Sequence, residues 1–202
     1  RVQEGAPPDE LAGIGQGGGR IRSVEPHGGD ATVWIETGAV TLDDVGIGGS
    51  IAVNGCCLTA VQLDGNAFKA DLSRETLSLT TAGGWEAGTP VNLEKALTAG
   101  QALGGHYVTG HVDGVGEVVG RHEDARSVRV EFEVPPDLAR YIARKGSVCV
   151  DGVSLTVNGV AGRRFDVNLV PHTLEQTILG GYHPGTRVNL EVDIIARYLE
   201  RL

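Results

Sequence analysis

The chain reads SIAVNGCCLTAV at residues 50–61 and SVCVDGVSLTVN at residues 147–158. Both stretches run from Ser through alternating apolar positions to Gly and then Leu-Thr. Alternation with a period of two, interrupted by Asn-Gly or Asp-Gly, is the pattern of short strands meeting in tight turns. The copies differ where reactive groups stand: Asn54 becomes Asp151, and Cys57 becomes Ser154.

Asn54 and Asp151 lie 151 − 54 = 97 positions apart. VNLE at 91–94 returns at 188–191 with the same offset, and Phe68 returns as Phe165. Gly83-Gly84-Trp85 returns as Gly180-Gly181-Tyr182, and Gly13, Gly17 and Gly19 as Gly110, Gly114 and Gly116. One register held without insertion means a duplicated domain, not a solenoid of small units. The expected organisation is a disordered leader at 1–10, a first unit at 11–97, a connector at 98–107, a second unit at 108–192 and a terminal segment at 193–202.

Composition narrows the class. Glycine is abundant at 31 of 202 residues, which suits frequent turns, and aromatic residues are only 4%, so the core must be aliphatic. A net charge of −9 argues against nucleic acid as a partner. No apolar run reaches membrane-spanning length. The three cysteines, Cys56, Cys57 and Cys149, are odd in number and two are adjacent. That argues against a disulfide framework and for a reducing, cytoplasmic setting. His106 and His111 lack the further ligand a metal site needs, so no metal is expected. GIGQGGGR at 13–20 superficially resembles a dinucleotide loop, but no strand precedes it.

Each unit reads as strands separated by glycine turns: ATVWIE and SVRVEFEV, FKADLS and FDVNLV, TPVNLE and TRVNLE. Their short, regular spacing predicts an all-β antiparallel barrel or sandwich. One short helix per unit is expected, at 135–146 and, less well formed, at 41–49. A further amphipathic helix is expected at 193–202, with an apolar stripe of Ile194, Ile195, Tyr198 and Leu199. That stripe either packs on its own barrel or serves assembly.

NGCCLT, SRETL, GGHYVTGHVDG, KGSVCVDGVSLTV and VNLE, in this order, resemble riboflavin synthase in its two-barrel form, over residues 11–202. The resemblance implies two tandem six-stranded Greek-key barrels and a C-terminal helix that gathers three chains into a homotrimer. It implies a transferase without cofactor. Two molecules of 6,7-dimethyl-8-ribityllumazine would exchange a four-carbon unit, giving riboflavin and a ribitylamino-pyrimidinedione. One substrate would sit in each kind of barrel, donor meeting acceptor across a subunit boundary.

The candidate catalytic set is Ser154, Asp151, Lys145, His111 and Cys57. Lys145 replaces Gly48 of the first copy, and His172 replaces Glu75. Residues flanking a strand position share a face, so Cys57 with Thr59 around Leu58, and Ser154 with Thr156 around Leu155, can each face one pocket. Asp151 could equally be a turn former, as Asn54 is, Lys145 could serve a helix end, and Cys57 could be a small buried residue. By resemblance, Gly13, Ile14 and Gly15 and their counterparts Gly110, His111 and Val112 line the two lumazine sites. So do Asp71, Leu72, Ser73, Arg74, Glu75 and Thr76 of the first copy. Leu169, Val170, Pro171, His172, Thr173 and Leu174 do the same in the second. The imidazole of His111 suits proton transfer from the acidic methyl group of the substrate. The changed residues separate the roles: the Asp151, Ser154 and Lys145 barrel polarises its substrate, and the Asn54 and Cys57 barrel orients its own. The family opens with Phe-Thr-Gly-Ile where this chain has Leu11, Ala12, Gly13 and Ile14. A non-catalytic lumazine or flavin binder of antenna type, and a ligand-free interaction protein, are the competing readings.

Overall fold

The computed structural model describes residues 11–202. The leader expected at 1–10 lies outside the described residues. In the first repeat the alternating segments become β1 (Gly17–His27), β2 (Asp30–Glu36), β3 (Ser50–Val53), β4 (Cys56–Thr59), β5 (Gln62–Asp64), β6 (Ala67–Leu72) and β7 (Pro90–Lys95). The second repeat supplies β8 (Gly114–Asp124), β9 (Ser127–Glu133), β10 (Ser147–Val150), β11 (Val153–Thr156), β12 (Gly159–Ala161), β13 (Arg164–Leu169) and β14 (Arg187–Val192).

Each repeat is one antiparallel sheet. The order is β4-β3-β7-β1-β2-β6-β5 in the first and β11-β10-β14-β8-β9-β13-β12 in the second. The last long strand returns to lie beside the first, so the connections cross as in a Greek key. The edge strands also approach β6 and β13, curling each sheet into a barrel. Both long strands bend at the same place: the pairing of β1 with β2 shifts between Ile21 and Ser23, and that of β8 with β9 between Val118 and Gly120. A bulge there increases the local twist that closure requires. The seventh strand, where six were expected, is only three residues long in each repeat. It pairs with the next strand around Gly65 and Gly162, both at φ 59.

The helices differ from expectation. Residues 135–146 hold a single 3₁₀ turn, Ala139–Tyr141, and Ile142 is already extended. Leu138 and Ile142 instead plug the second barrel's core, and a stretch this short has no helical stability of its own. The counterpart at 41–49 is turns, with Leu42 buried. The short helix of each repeat comes later: α1 (Arg74–Leu79), capped by the Ser73 side chain, and α2 (Pro171–Gln176), started by Pro171. The terminal helix is present as α3 (Ile194–Arg201), capped by Asp193.

Each barrel has its own aliphatic core, and a third small cluster, Leu11, Ala52, Val108 and Cys149, lies between them. This cluster contains two repeat-related pairs, so the barrels meet about a pseudo-two-fold axis. Asn92 donates its side-chain amide to the Asp151 carbonyl at 2.9 Å and accepts from the Ile178 N–H at 2.8 Å. Asn189 does the same with the Asn54 carbonyl at 2.9 Å and the Thr81 N–H at 2.8 Å. The asparagine of the repeated VNLE is therefore the bolt of the seam. Gly55 and Gly152 face each other there: a Cβ on Gly55 would sit 2.7 Å from the Gly152 nitrogen, so no other residue fits.

Candidate functional site

The edge strands β4 and β11 carry the reactive residues. Along β4, Cys57 is half-buried, Leu58 buried and Thr59 exposed; along β11, Ser154, Leu155 and Thr156 repeat that pattern. Cys57 with Thr59, and Ser154 with Thr156, thus share the outer faces of their strands. Leu58 and Leu155 turn into the cores, as do Leu72 and Leu169. These four, expected among the site residues, carry their side chains away from the reactive face. Asp71, Ser73, Arg74 and Glu75 are exposed and Thr76 half-buried; Val170, Pro171 and His172 are exposed, and Thr173 and Leu174 half-buried.

The segments that close the two faces come from the opposite repeat. The Ser154 N–H donates to the Gly13 carbonyl at 2.5 Å, and Ile14 bridges Val153. The Cys57 N–H donates to the Gly110 carbonyl at 2.9 Å. Gly13-Ile14-Gly15, near the start of the described chain, therefore lines the second barrel's face, and Gly110-His111-Val112 lines the first. Leu11 and Val108, just upstream of each segment, are bonded to one another through both backbone groups, at 2.8 and 3.1 Å. His111, expected among the catalytic residues, is exposed and directly follows Gly110, whose carbonyl accepts from the Cys57 N–H.

The histidine that reaches Ser154 is His106, from the connector. Its Nδ1 lies 2.6 Å from Ser154 Oγ, and its backbone N–H donates to the same oxygen at 3.3 Å. Burial holds the imidazole below its ordinary pKa, against the opposing influence of the Asp193 carboxylate. A neutral ring can accept the Ser154 proton at Nδ1 while Nε2, buried and without a hydrogen-bond partner among the described residues, carries its own. Sequence reasoning weighed His106 only as a metal ligand with His111, because nothing along the chain places it against Ser154. Gly105, just before it, packs there too: a Cβ on Gly105 would lie 2.6 Å from that of Ser154.

Asp151, expected as a polarising group or a turn former, lies in the seam between the barrels. It sits at the tip of the β10–β11 hairpin, 2% exposed, with left-handed backbone at φ 45, as Asn54 is at φ 47. One carboxylate oxygen accepts from the Asn189 N–H at 2.8 Å and the other from the Tyr182 hydroxyl at 2.5 Å. Burial pushes its carboxyl up to about 7, although both hydrogen bonds pull it down. Asn54 accepts from the Asn92 N–H at 2.7 Å, and the residue corresponding to Tyr182 is Trp85, whose Nε1 is buried without an acceptor among the described residues. Asn54 and Asp151 therefore differ together with their aromatic neighbours. A cavity of about 400 Å³ lies on this axis, lined by Asn54, Trp85, Asp151 and Tyr182 among others.

Lys145 is exposed and held at φ 65, with its N–H donating to the Val157 carbonyl at 2.8 Å, one residue beyond Thr156. Gly48 makes the same bond to Ala60 at φ 89. A side chain at such a position costs about 1 kcal/mol or more that glycine avoids. The first repeat has glycine at this position and the second has lysine. Among the described residues, no group of three or more His, Cys, Asp or Glu stands where it could hold a metal ion.

The lumazine binding domain model matches this chain twice, at residues 12–96 and 109–193. Riboflavin synthase of Photobacterium phosphoreum is 46% identical over 95% of this chain and 88% of its own length. The chain belongs to the riboflavin synthase family. Riboflavin synthase of Mycobacterium tuberculosis (strain H37Rv) is 48% identical over 86% of this chain and 88% of its own. The crystal structure of LumP complexed with riboflavin superposes with a TM-score of 0.84 at 28% identity, covering 90% of this chain and 98% of that one. The family match places one lumazine-binding unit on each repeat.

Proposed function

We propose that this chain is a transferase that disproportionates two molecules of 6,7-dimethyl-8-ribityllumazine. Four carbons pass from donor to acceptor, giving riboflavin and 5-amino-6-ribitylamino-pyrimidinedione. The observation that carries this reading is the Ser154–His106 pair, Oγ to Nδ1 at 2.6 Å, on one of two related but unequal faces. A half-buried hydroxyl beside a neutral imidazole can deliver an activated oxygen, its own or a water's, to an electrophilic ring carbon, while His106 takes the proton. Lys145 and Thr156, on the same edge, supply polar contacts to the heterocycle. Cys57, Thr59 and His111 line the other face and orient the second molecule. Holding two reactants face to face supplies much of the rate, since effective molarities reach roughly 10⁵ M or more.

We infer a homotrimer in the cytoplasm as the working form. Arg197 pairs with Asp113 at 2.6 Å and Arg140 with Glu200 at 2.7 Å, tying the polar side of α3 to its own barrel. Ile195, Tyr198 and Leu199 are left about two-thirds exposed, an apolar stripe that a second and third chain would cover. A reducing compartment suits three cysteines that form no disulfide.

The test is incubation of purified protein with the lumazine. One riboflavin for every two lumazines consumed, with the pyrimidinedione in equal amount, is expected. The likeness to LumP complexed with riboflavin favours a second reading, a binder without turnover. Tight fluorescent binding without product would establish that reading and overturn the first.

A further inference from the structure

Glu94 and Glu191, the last residues of the repeated VNLE, are 3% and 4% exposed. Among the described residues neither forms an ion pair. Glu94 accepts from the N–H groups of Ala12 at 2.8 Å, Gly13 at 3.1 Å and Gly15 at 3.2 Å. Glu191 accepts from the Thr109 N–H at 2.7 Å, the Thr109 hydroxyl at 2.8 Å and the Gly110 N–H at 2.9 Å. Each carboxylate is thus the anchor of one glycine segment, curled with Gly13 at φ 69, Gly15 at φ 60 and Gly110 at φ 76. Backbone amides converging on a buried carboxylate fix a loop that would otherwise have no regular structure to hold it.

The register makes the direction of this control unexpected. Glu94 pairs with Ala52, and Ala52 with Cys57; Glu191 pairs with Cys149, and Cys149 with Ser154. Each glutamate lies in the same row as the reactive residue of its own barrel, two strands away. Yet the segment held by Glu94 closes on Ser154, and the segment held by Glu191 closes on Cys57. The fit is close: a Cβ on Gly13 would come within 2.8 Å of the Ser154 Cβ, and one on Gly110 within 2.6 Å of the Cys57 Cβ. We propose that Glu94 and Glu191 are positioning residues that act across the seam, each holding shut the pocket of the opposite repeat. The unit of function is then the pair of barrels, because neither pocket is complete without a carboxylate from the other. The two holds differ in kind: Glu191 takes the Thr109 hydroxyl where Glu94 takes the Gly15 N–H.

The consequence for turnover rests on the reading of these pockets as lumazine sites, but the test does not. Alkylation by iodoacetamide, followed peptide by peptide in a mass spectrometer, reports closure of the Cys57 pocket directly. Cys56 and Cys149, at 7% and 1% exposure, are internal controls for unfolding. Glu191→Gln is expected to speed Cys57 alkylation about tenfold, the scale of losing a charge-assisted hydrogen bond, and Glu94→Gln to leave it within about twofold. In a Ser154→Cys background the order reverses at position 154. If Glu191→Gln also exposes Cys56 and Cys149, Thr109→Ala decides alone. It removes one hydroxyl and installs the residue the first repeat already carries, and a roughly threefold gain at Cys57 only is expected. Acceleration of Cys57 by Glu94→Gln in place of Glu191→Gln, or no change under Thr109→Ala, would overturn the proposal. Riboflavin formation, measured separately, tests the enzyme reading without touching this one.

Discussion

At the scale of single residues, the asymmetry between the repeats separates into two kinds. Ser154 and Lys145 differ from Cys57 and Gly48 on an accessible edge, where difference is chemical. Asp151 differs from Asn54 inside the seam, where difference follows the neighbouring aromatic. His106→Asn removes the proton acceptor and is expected to lower turnover by about 10²-fold or more while the lumazine still binds; steady-state kinetics with a parallel fluorescence titration checks this. Because burial lowers the His106 pKa, the ring stays neutral to below its ordinary value of 6.5. The acid limb of the turnover profile is therefore expected below pH 6.5, where protonation removes the acceptor. Lys145→Gly relaxes a left-handed position but adds unfolded-state freedom that offsets part of the gain, so thermal melts are expected to show equal or slightly higher stability, by about 1 kcal/mol, together with reduced turnover. A variant that loses stability as well would mean that the lysine is held there for packing.

At the scale of elements, α3 stands apart from the duplication. It has no counterpart after β7, and its ion pairs hold it to the barrel by its polar side. A helix of eight residues is marginal by itself, so these pairs and its Asp193 cap keep it formed. The paired substitution Ile195→Glu and Leu199→Glu changes two exposed positions and leaves both cores intact. It is expected to convert the assembly to monomers in light scattering, with far-ultraviolet dichroism unchanged and turnover largely lost. A trimer that survives the double substitution would place the contact elsewhere.

At the scale of the whole molecule, the seam is where the two barrels become one object. Asp151 gives it a pH dependence. The folded carboxyl, at about 7, is raised from 3.8 by burial, so the fold favours the protonated form. The stability this contributes is present in full below about pH 4 and is lost as pH rises through 7. Asp151→Asn removes that dependence. The variant's melting temperature is expected to gain on the parent's between pH 4.5 and 8, and the gap to close toward the acid end. A difference that stays flat with pH would mean that the carboxyl ionises in the fold as it does in water.

The duplication, the strand pattern and the kind of chemistry were all legible in the linear chain. A fixed offset of 97, period-two alternation and Gly-rich turns are local or self-referential signals, and local sterics enforce them. Cys57, Ser154 and Lys145 stood out because the repeat itself supplied the comparison. The helices at 74–79 and 171–176 were missed because six residues hold too little periodicity to register. The helix expected at 135–146 did not form because Leu138 and Ile142 gain more by plugging a core than by continuing a turn. Which histidine serves which pocket was beyond any reading along the chain. His106 and His111 are five residues apart in one motif, yet one lies against Ser154 and the other follows the glycine whose carbonyl is bonded to Cys57. That partition depends on segments 11–15 and 106–112 crossing between barrels. The crossing depends in turn on buried carboxylates meeting backbone amides some eighty positions away. Long-range hydrogen bonds of this kind leave no periodic trace in sequence, because they are fixed by the packing of two finished barrels and not by any neighbour in the chain.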